Sequence, residues 1–199
     1  MRHCWILPDH PLREQVESFI CERYWLNFNA CLRSLPRLLI AVFDDAKLIA
    51  ACGVQLADEQ PLFSQTYLTK PITGYQVNSR PLPPPERLAE VGSMAALDPS
   101  YLPLLFRAVV RLLNSHNRTA VIFTATRALQ KYFSRLGIAL TALETAQQSA
   151  LPESTRDLWG NYYQHQPVVL AGWLEQGCVF EQLITTQDSN HISVREVAL

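Results

Sequence analysis

The residue that first suggests chemistry is Glu90, in the stretch "ERLAEVGSMAAL" from Glu86 to Leu97. Around it Leu88, Ala89, Val91, Met94 and Ala95 read as a buried strand, and a carboxylate is seldom buried unless it is paired or used. Strand alternation places Glu90 on one face with Leu88, Gly92 and Met94. A carboxyl group in a partly apolar setting has a raised pKa and can act as a base near neutral pH. The competing reading is an ion pair with an arginine that only orders the sheet. Gly92 removes a side chain two residues on and would let a ligand approach the strand. Ser93 follows a strand but lacks the second glycine of a GxSxG nucleophile elbow, which argues against a serine hydrolase. Two hydroxyls, Thr124 and Thr126, interrupt the otherwise apolar "AVIFTAT" on one face; they suit hydrogen bonding to a ligand or plain strand packing. Trp159, Gly160, Tyr162 and Tyr163 form an aromatic loop that either walls a pocket or fills a corner of the core. The five histidines lack ligand spacing, so no metal site is expected.

These residues need elements to hold them. Val16, Phe19, Ile20, Tyr24 and Phe28 recur at helical steps, predicting a helix from Leu12 to Leu35 that ends at Pro36. Leu38–Phe43 and Leu48–Leu56 read as a hairpin around Asp44–Lys47. "PLFSQTYL" reads as a short strand, and Lys70 to Glu86, rich in proline, as a long surface loop. Arg87–Ala96 is the strand that carries Glu90. Asp98 is a candidate N-cap for a helix with Leu104, Leu105, Ala108, Val109, Leu112 and Leu113 on its buried face. Thr119–Thr126 is a β-branched strand, and Arg127–Leu136 a compact helix closed by Gly137. "IALTALE" and "PVVLAGWLE" complete the strands. The order is α/β, with an antiparallel first half and a βαβ unit in the second.

The bulk numbers exclude several classes. With 199 residues, 48% hydrophobic and 18% charged, the chain fits one globular domain, 1–199. Seventeen basic and 18 acidic residues leave a net charge of −1, which offers no global field for nucleic acid. Five widely spaced cysteines without a CxxC indicate reduced thiols. No leader-like or membrane-spanning apolar run is present, so the expected location is the cytoplasm.

Three segments, "AEVGSMAAL", "VIFTATRALQKYFSRLGI" and "WGNYYQHQPVVLAGWL", together with "PLFSQTYLTKPI", resemble the bacterial thermostable haemolysin family. That family is in turn similar to the acyl-homoserine lactone synthases and the GNAT N-acyltransferases. The resemblance runs from about Arg37 to Trp173. It implies a mixed central sheet with helices on both faces and a splayed pair of parallel strands, Arg87–Ala96 and Thr119–Thr126, that admit an acyl thioester. It further implies attack by an amine on the thioester carbonyl. Glu90 would then be the base or amine anchor, and Tyr162 or Tyr163 would protonate the departing thiolate. Gly92, Ser93, Thr124, Thr126 and Trp159 would contact substrate. Gln65 stands where the family tends to carry a glutamate. Arg127, Lys131 and Arg135 fall at four-residue steps on one helix face, and Arg107 and Arg111 on the preceding helix; these stripes would dock an acidic carrier protein or hold phosphates, or else form a solvated face.

A coenzyme-A-dependent member of this fold would cradle pyrophosphate on a Gly-rich loop after the central strand. Here that position reads "LDPSYLPLLF", with no glycine and two prolines that lack N–H donors. The expectation is therefore an N-acyltransferase with no tightly bound cofactor. Its cosubstrate would be an acyl thioester, on acyl-carrier protein in preference to coenzyme A, and its acceptor a small amine. The alternative is a non-catalytic module that binds an acyl group or carrier protein.

Overall fold

A computed structural model describes residues 1–183. In chain order the elements are β1 (Arg2–Ile6), α1 (Arg13–Phe28), β2 (Leu38–Asp44), β3 (Lys47–Leu56), β4 (Gln76–Val77) and β5 (Arg80–Pro81). There follow β6 (Leu88–Ala96), α2 (Leu102–Ser115), β7 (Ala120–Ala125), α3 (Arg127–Arg135), β8 (Thr141–Thr145), α4 (Glu153–Arg156) and β9 (Val168–Trp173). Seven strands form one sheet in the order β1-β2-β3-β6-β7-β9-β8. Every neighbouring pair is antiparallel except β6 and β7. The mixed sheet with helices on both faces is as expected from the sequence.

The central strands are apolar on both sides because both faces are covered. On one face α1 packs Val16, Phe19, Ile20 and Tyr24 against Leu39, Ala41 and Phe43. On the other, Leu104, Leu105, Ala108, Val109 and Leu113 of α2 and Phe133 of α3 cover Ile40, Val42, Cys52 and Val54. Burial of this kind contributes roughly 1.5–3 kcal/mol per large side chain before entropy is counted. Among the described residues no helix is long and apolar enough to cross a membrane. All five cysteines are free.

Several local readings change. α1 stops at Phe28, seven residues before Leu35, because Asn29 enters the left-handed region at φ 53° and its N–H caps Trp25 O. Residues 31–37 instead run as a strap back along α1, with Cys21 Sγ meeting Leu32 O and Arg13 donating to Pro36 O and Arg37 O. β1 arises from "RHCWI", too short and mixed to declare itself as a strand; its partner is β2. Phe63–Tyr67 forms a 3₁₀ turn and not a strand. The segment 70–86 is not merely surface loop: Ile72, Tyr75, Val77 and Leu82 are buried against Leu88, Ile122 and Trp173. Its tip is the small β4–β5 hairpin, turned by Asn78 and Ser79 with φ of 52° and 63°.

The feature that positions a site is where β6 and β7 part. They pair only from Leu88–Ala120 to Glu90–Ile122. β6 continues to Ala96 and β7 to Ala125 without pairing to each other. At the same place β6 carries a bulge against β3. Gly92 faces Gly53 and Ala95 faces Ala51, so Ser93 and Met94 together oppose Cys52. Ser93 adopts φ 49° to make it. The extra residue shifts the alternation beyond it. Met94 therefore joins Val91 in the layer under α2, instead of sharing the face of Glu90, and Ala95 takes that side.

Candidate active site

Glu90 is the last paired residue before the two parallel strands separate. Only 4% of it is exposed, and no cation pairs with it among the described residues. The ion-pair reading is therefore set aside. Its partner is Ser64 at the start of the 3₁₀ turn. The Ser64 N–H donates to both carboxylate oxygens, at 3.0 and 3.2 Å, and the Ser64 hydroxyl donates to Oε1. Burial pushes the Glu90 carboxyl up to about 7; the Ser64 hydrogen bonds oppose that rise without cancelling it. The Ser64 hydroxyl also lies 3.5 Å from Thr124 Oγ1 on β7.

Glu90 borders a cavity of about 580 Å³, within the range of small-molecule sites. The strap 31–37, the 3₁₀ turn, β6 and the aromatic loop enclose it. Gly92 and Ser93 line it, as do Thr124, Trp159 and Tyr162. A Cβ added at Gly92 would meet nothing within 4 Å, so the missing side chain leaves open space beside Glu90. Phe63 and Trp159 pack with tilted rings 5.6 Å apart between centroids, and Trp159 and Tyr162 likewise at 5.4 Å. The Trp159–Tyr162 corner is locked to α1 through Gly160, at φ 50°, where a Cβ would overlap the carbonyl oxygens of Phe28 and Asn29.

The two tyrosines differ. Tyr162 lines the cavity, and burial holds its phenol well above the usual range, hence protonated. Tyr163 does not line it. Its hydroxyl sits 2.5 Å from that of Tyr67, and burial raises it to about 12. Tyr67 itself does line the cavity.

Other expected residues fall elsewhere. Gln65 is exposed on the 3₁₀ turn and does not line the cavity; its neighbour Ser64 meets Glu90. Thr126 lies one residue past β7, where it leads into α3, and does not share the cavity with Thr124. Arg107 and Arg111 of α2 approach His3, whose pKa is lowered by burial and then by these charges. Arg111 is paired with Glu181. Arg127, Lys131 and Arg135 are exposed on α3, with Arg127 donating to Gln166 at 3.3 Å. Sequence reasoning missed Ser64, Tyr67 and the strap arginines Arg33 and Arg37. A serine amid "LFSQTYL" gave a faint signal; the strap gave none, because it reads as the end of a helix.

A second, wholly apolar cavity of about 50 Å³ opens on the α2 side of the parting strands. Val91 and Met94 of β6, Val121 and Phe123 of β7, and Phe106 and Val109 of α2 are among its walls. Met94 borders both cavities. No group of three or more His, Cys, Asp or Glu side chains is placed to hold a metal among the described residues.

The thermostable hemolysin family model matches residues 6–178. The chain belongs to that family. Comparison with curated proteins finds no significant sequence match. Among solved structures it is similar to TofI in an apo form, at TM-score 0.61 and 11% identity, over 91% of this chain and 97% of that one. It is also similar to FeeM, an N-acyl amino acid synthase from uncultured soil microbes, at 0.60 and 13%, over 88% and 92%. A third is BjaI, a coenzyme-A-dependent acyl-homoserine lactone synthase crystallised with SAM and isopentyl-CoA, at 0.59 and 14%, over 91% and 88%. At these identities the likeness establishes for this family member the shared fold, an autoinducer-synthase-like α/β sheet.

Proposed function

We propose that this protein is an N-acyltransferase that moves an acyl group from a thioester to an amine in the cleft between β6 and β7. One observation carries this reading. A buried carboxylate stands where two parallel strands part, with a larger cavity that has polar side chains in its wall on one side and a small apolar one on the other. Beyond Glu90 and Ile122 the facing strand edges have no strand partner. The N–H and C=O groups along these edges suit pairing with the amides of a pantetheine arm. The apolar cavity past Met94 takes the start of the acyl chain, and the cavity at Glu90 takes the amine.

The chemistry follows from the charges. Near its pKa of about 7, Glu90 is partly ionised at neutral pH and accepts a proton from the incoming ammonium. The freed nitrogen bonds to the thioester carbon, the carbon–sulfur bond breaks, and the thiolate takes up a proton from the wall while the second proton of the acylated nitrogen replaces it there; the proton on Glu90 returns to solvent. Tyr162, protonated and on the cavity wall, is the donor to that sulfur. Tyr67 forms part of the wall, and its hydroxyl is held by that of Tyr163 behind it. The similarity in fold to FeeM and BjaI, named for N-acyl amino acid and acyl-homoserine lactone synthesis, supports the same class of reaction.

The donor is a carrier-protein thioester in preference to coenzyme A. At the turn into α2, the Asp98 carboxylate already takes the Ser100 N–H, and Pro99 and Pro103 supply none. A negative cap and two missing donors are a poor seat for pyrophosphate. The exposed α3 cations offer the carrier protein an electrostatic surface instead. The test is thiol release and amide detection with matched acyl-carrier and acyl-coenzyme A donors and a mixture of amines. The expected result is amide from both, with the higher kcat/KM for the carrier thioester. Higher kcat/KM for coenzyme A would overturn the donor assignment. No thiol release above an amine-free control would overturn the function.

A further inference from the structure

The cavity at Glu90 has an uneven charge pattern. Among the described residues, Glu90 is the only acidic side chain lining it, and Arg33 and Arg37 are the only basic ones. Both arginines are exposed, and neither side chain has a hydrogen-bond or ion-pair partner among the described residues. The strap that carries them is not loose. At one end the Cys31 N–H donates to Leu158 O at 2.6 Å. At the other, the Arg13 guanidinium donates to Pro36 O at 2.8 Å and to Arg37 O at 2.6 Å. The Pro36 ring sits on Gly53 of β3 so closely that a Cβ there would lie 2.6 Å from it. Backbone positions 31 and 36–37 are thus fixed relative to both the aromatic loop and the sheet.

Two cations on an anchored strap and one buried carboxylate, all lining one cavity, are complementary to a ligand with both charges. We infer that the amine acceptor is an amino acid, or another amine bearing a carboxylate. Its ammonium meets Glu90, and its carboxylate is held by Arg33 and Arg37. This rests on the acyltransferase reading and names the acceptor class for the same site. Guanidinium is suited to carboxylate because its N–H groups present a planar fork to the two oxygens. The arginines bind and orient; the bond-making step remains as described, with the ammonium proton passing to Glu90.

The experiment offers the protein two acceptor mixtures, the standard amino acids and the corresponding amino-acid amides, with a pooled set of acyl-carrier thioesters. Products are identified by mass spectrometry. The expected result is acylation of amino acids with kcat/KM at least about tenfold above that of their amides, the order of one charge-assisted contact. The Arg33→Ala/Arg37→Ala double variant is expected to raise KM for amino acids about tenfold, leaving kcat and the KM for amides unchanged. Equal use of amides, or an unmoved KM in the double variant, would overturn the inference and leave the acyltransferase reading intact. Acylation of neither mixture would overturn both.

Discussion

Replacing Glu90 by Gln is expected to change stability in a pH-dependent way that follows from burial alone. The Glu90 carboxyl titrates near 4.5 in an open chain and at about 7 in the folded protein. The folded state therefore holds the proton more tightly. The resulting stabilisation is fully present below pH 4.5 and is lost as the pH rises through 7. The difference, at about 1.4 kcal/mol per pH unit, comes to about 3 kcal/mol. Glutamine has the same size and does not titrate. Any constant effect of its amide beside the Ser64 donors is the same at every pH. The stability of E90Q relative to wild type should therefore rise by about 2–3 kcal/mol between pH 5 and pH 8. For a chain of this length that widens the difference in Tm by about 5–10 °C in favour of the variant. Thermal unfolding followed by circular dichroism at the two pH values measures it directly. A Tm difference that stays constant from pH 5 to pH 8 would refute the reasoning, because Glu90 would then titrate alike in both states.

Ser64→Ala removes a hydrogen bond that favours the charged carboxylate, so the ascending limb of the pH–rate profile is expected to move above pH 7 by up to about one unit; an unmoved limb would remove Ser64 from the site. Gly92→Val places a branched side chain into open space and into the proposed cleft, so acyl transfer should fall at least about tenfold while Tm holds within a few degrees; unchanged kcat/KM would show that no ligand passes there. Gly160→Ala forces a side chain into the carbonyls of Phe28 and Asn29 at positive φ, and unfolding scans should show a loss of at least about 2 kcal/mol.

What could be read in the sequence, and what could not, divides by the range of the interaction. Glu90 stood out because a single carboxylate interrupts a short apolar run, and its neighbour Gly92 does leave open space. The helices and core strands declared themselves through periodicity, which reports local burial. Ser64 did not, because it meets Glu90 across 26 residues of chain. "LFSQTYL" has strand-like composition, but its Ser64 N–H serves a carboxylate in place of a ladder. Met94 was assigned to the wrong face because alternation cannot foresee the bulge at Ser93. The helix was drawn to Leu35 because Asn29, where the chain turns, is a common residue whose left-handed conformation leaves no sign in the pattern. The arginines on the strap were lost with it. The parting of β6 and β7 was foreseen through family resemblance alone; hydrophobic pattern does not encode where pairing stops.

The central claim is that Glu90, partly ionised near neutral pH, takes the proton from an amine acylated in this cleft. The most direct test is the pH dependence of amide formation by wild type and E90Q from one carrier thioester and one amine mixture. The account predicts a wild-type rate that climbs as the pH rises through about 7 and levels above it. It predicts an E90Q rate lower by about 10²-fold or more, without that limb. An E90Q variant that forms amide as fast as wild type, with the same pH profile, would contradict it.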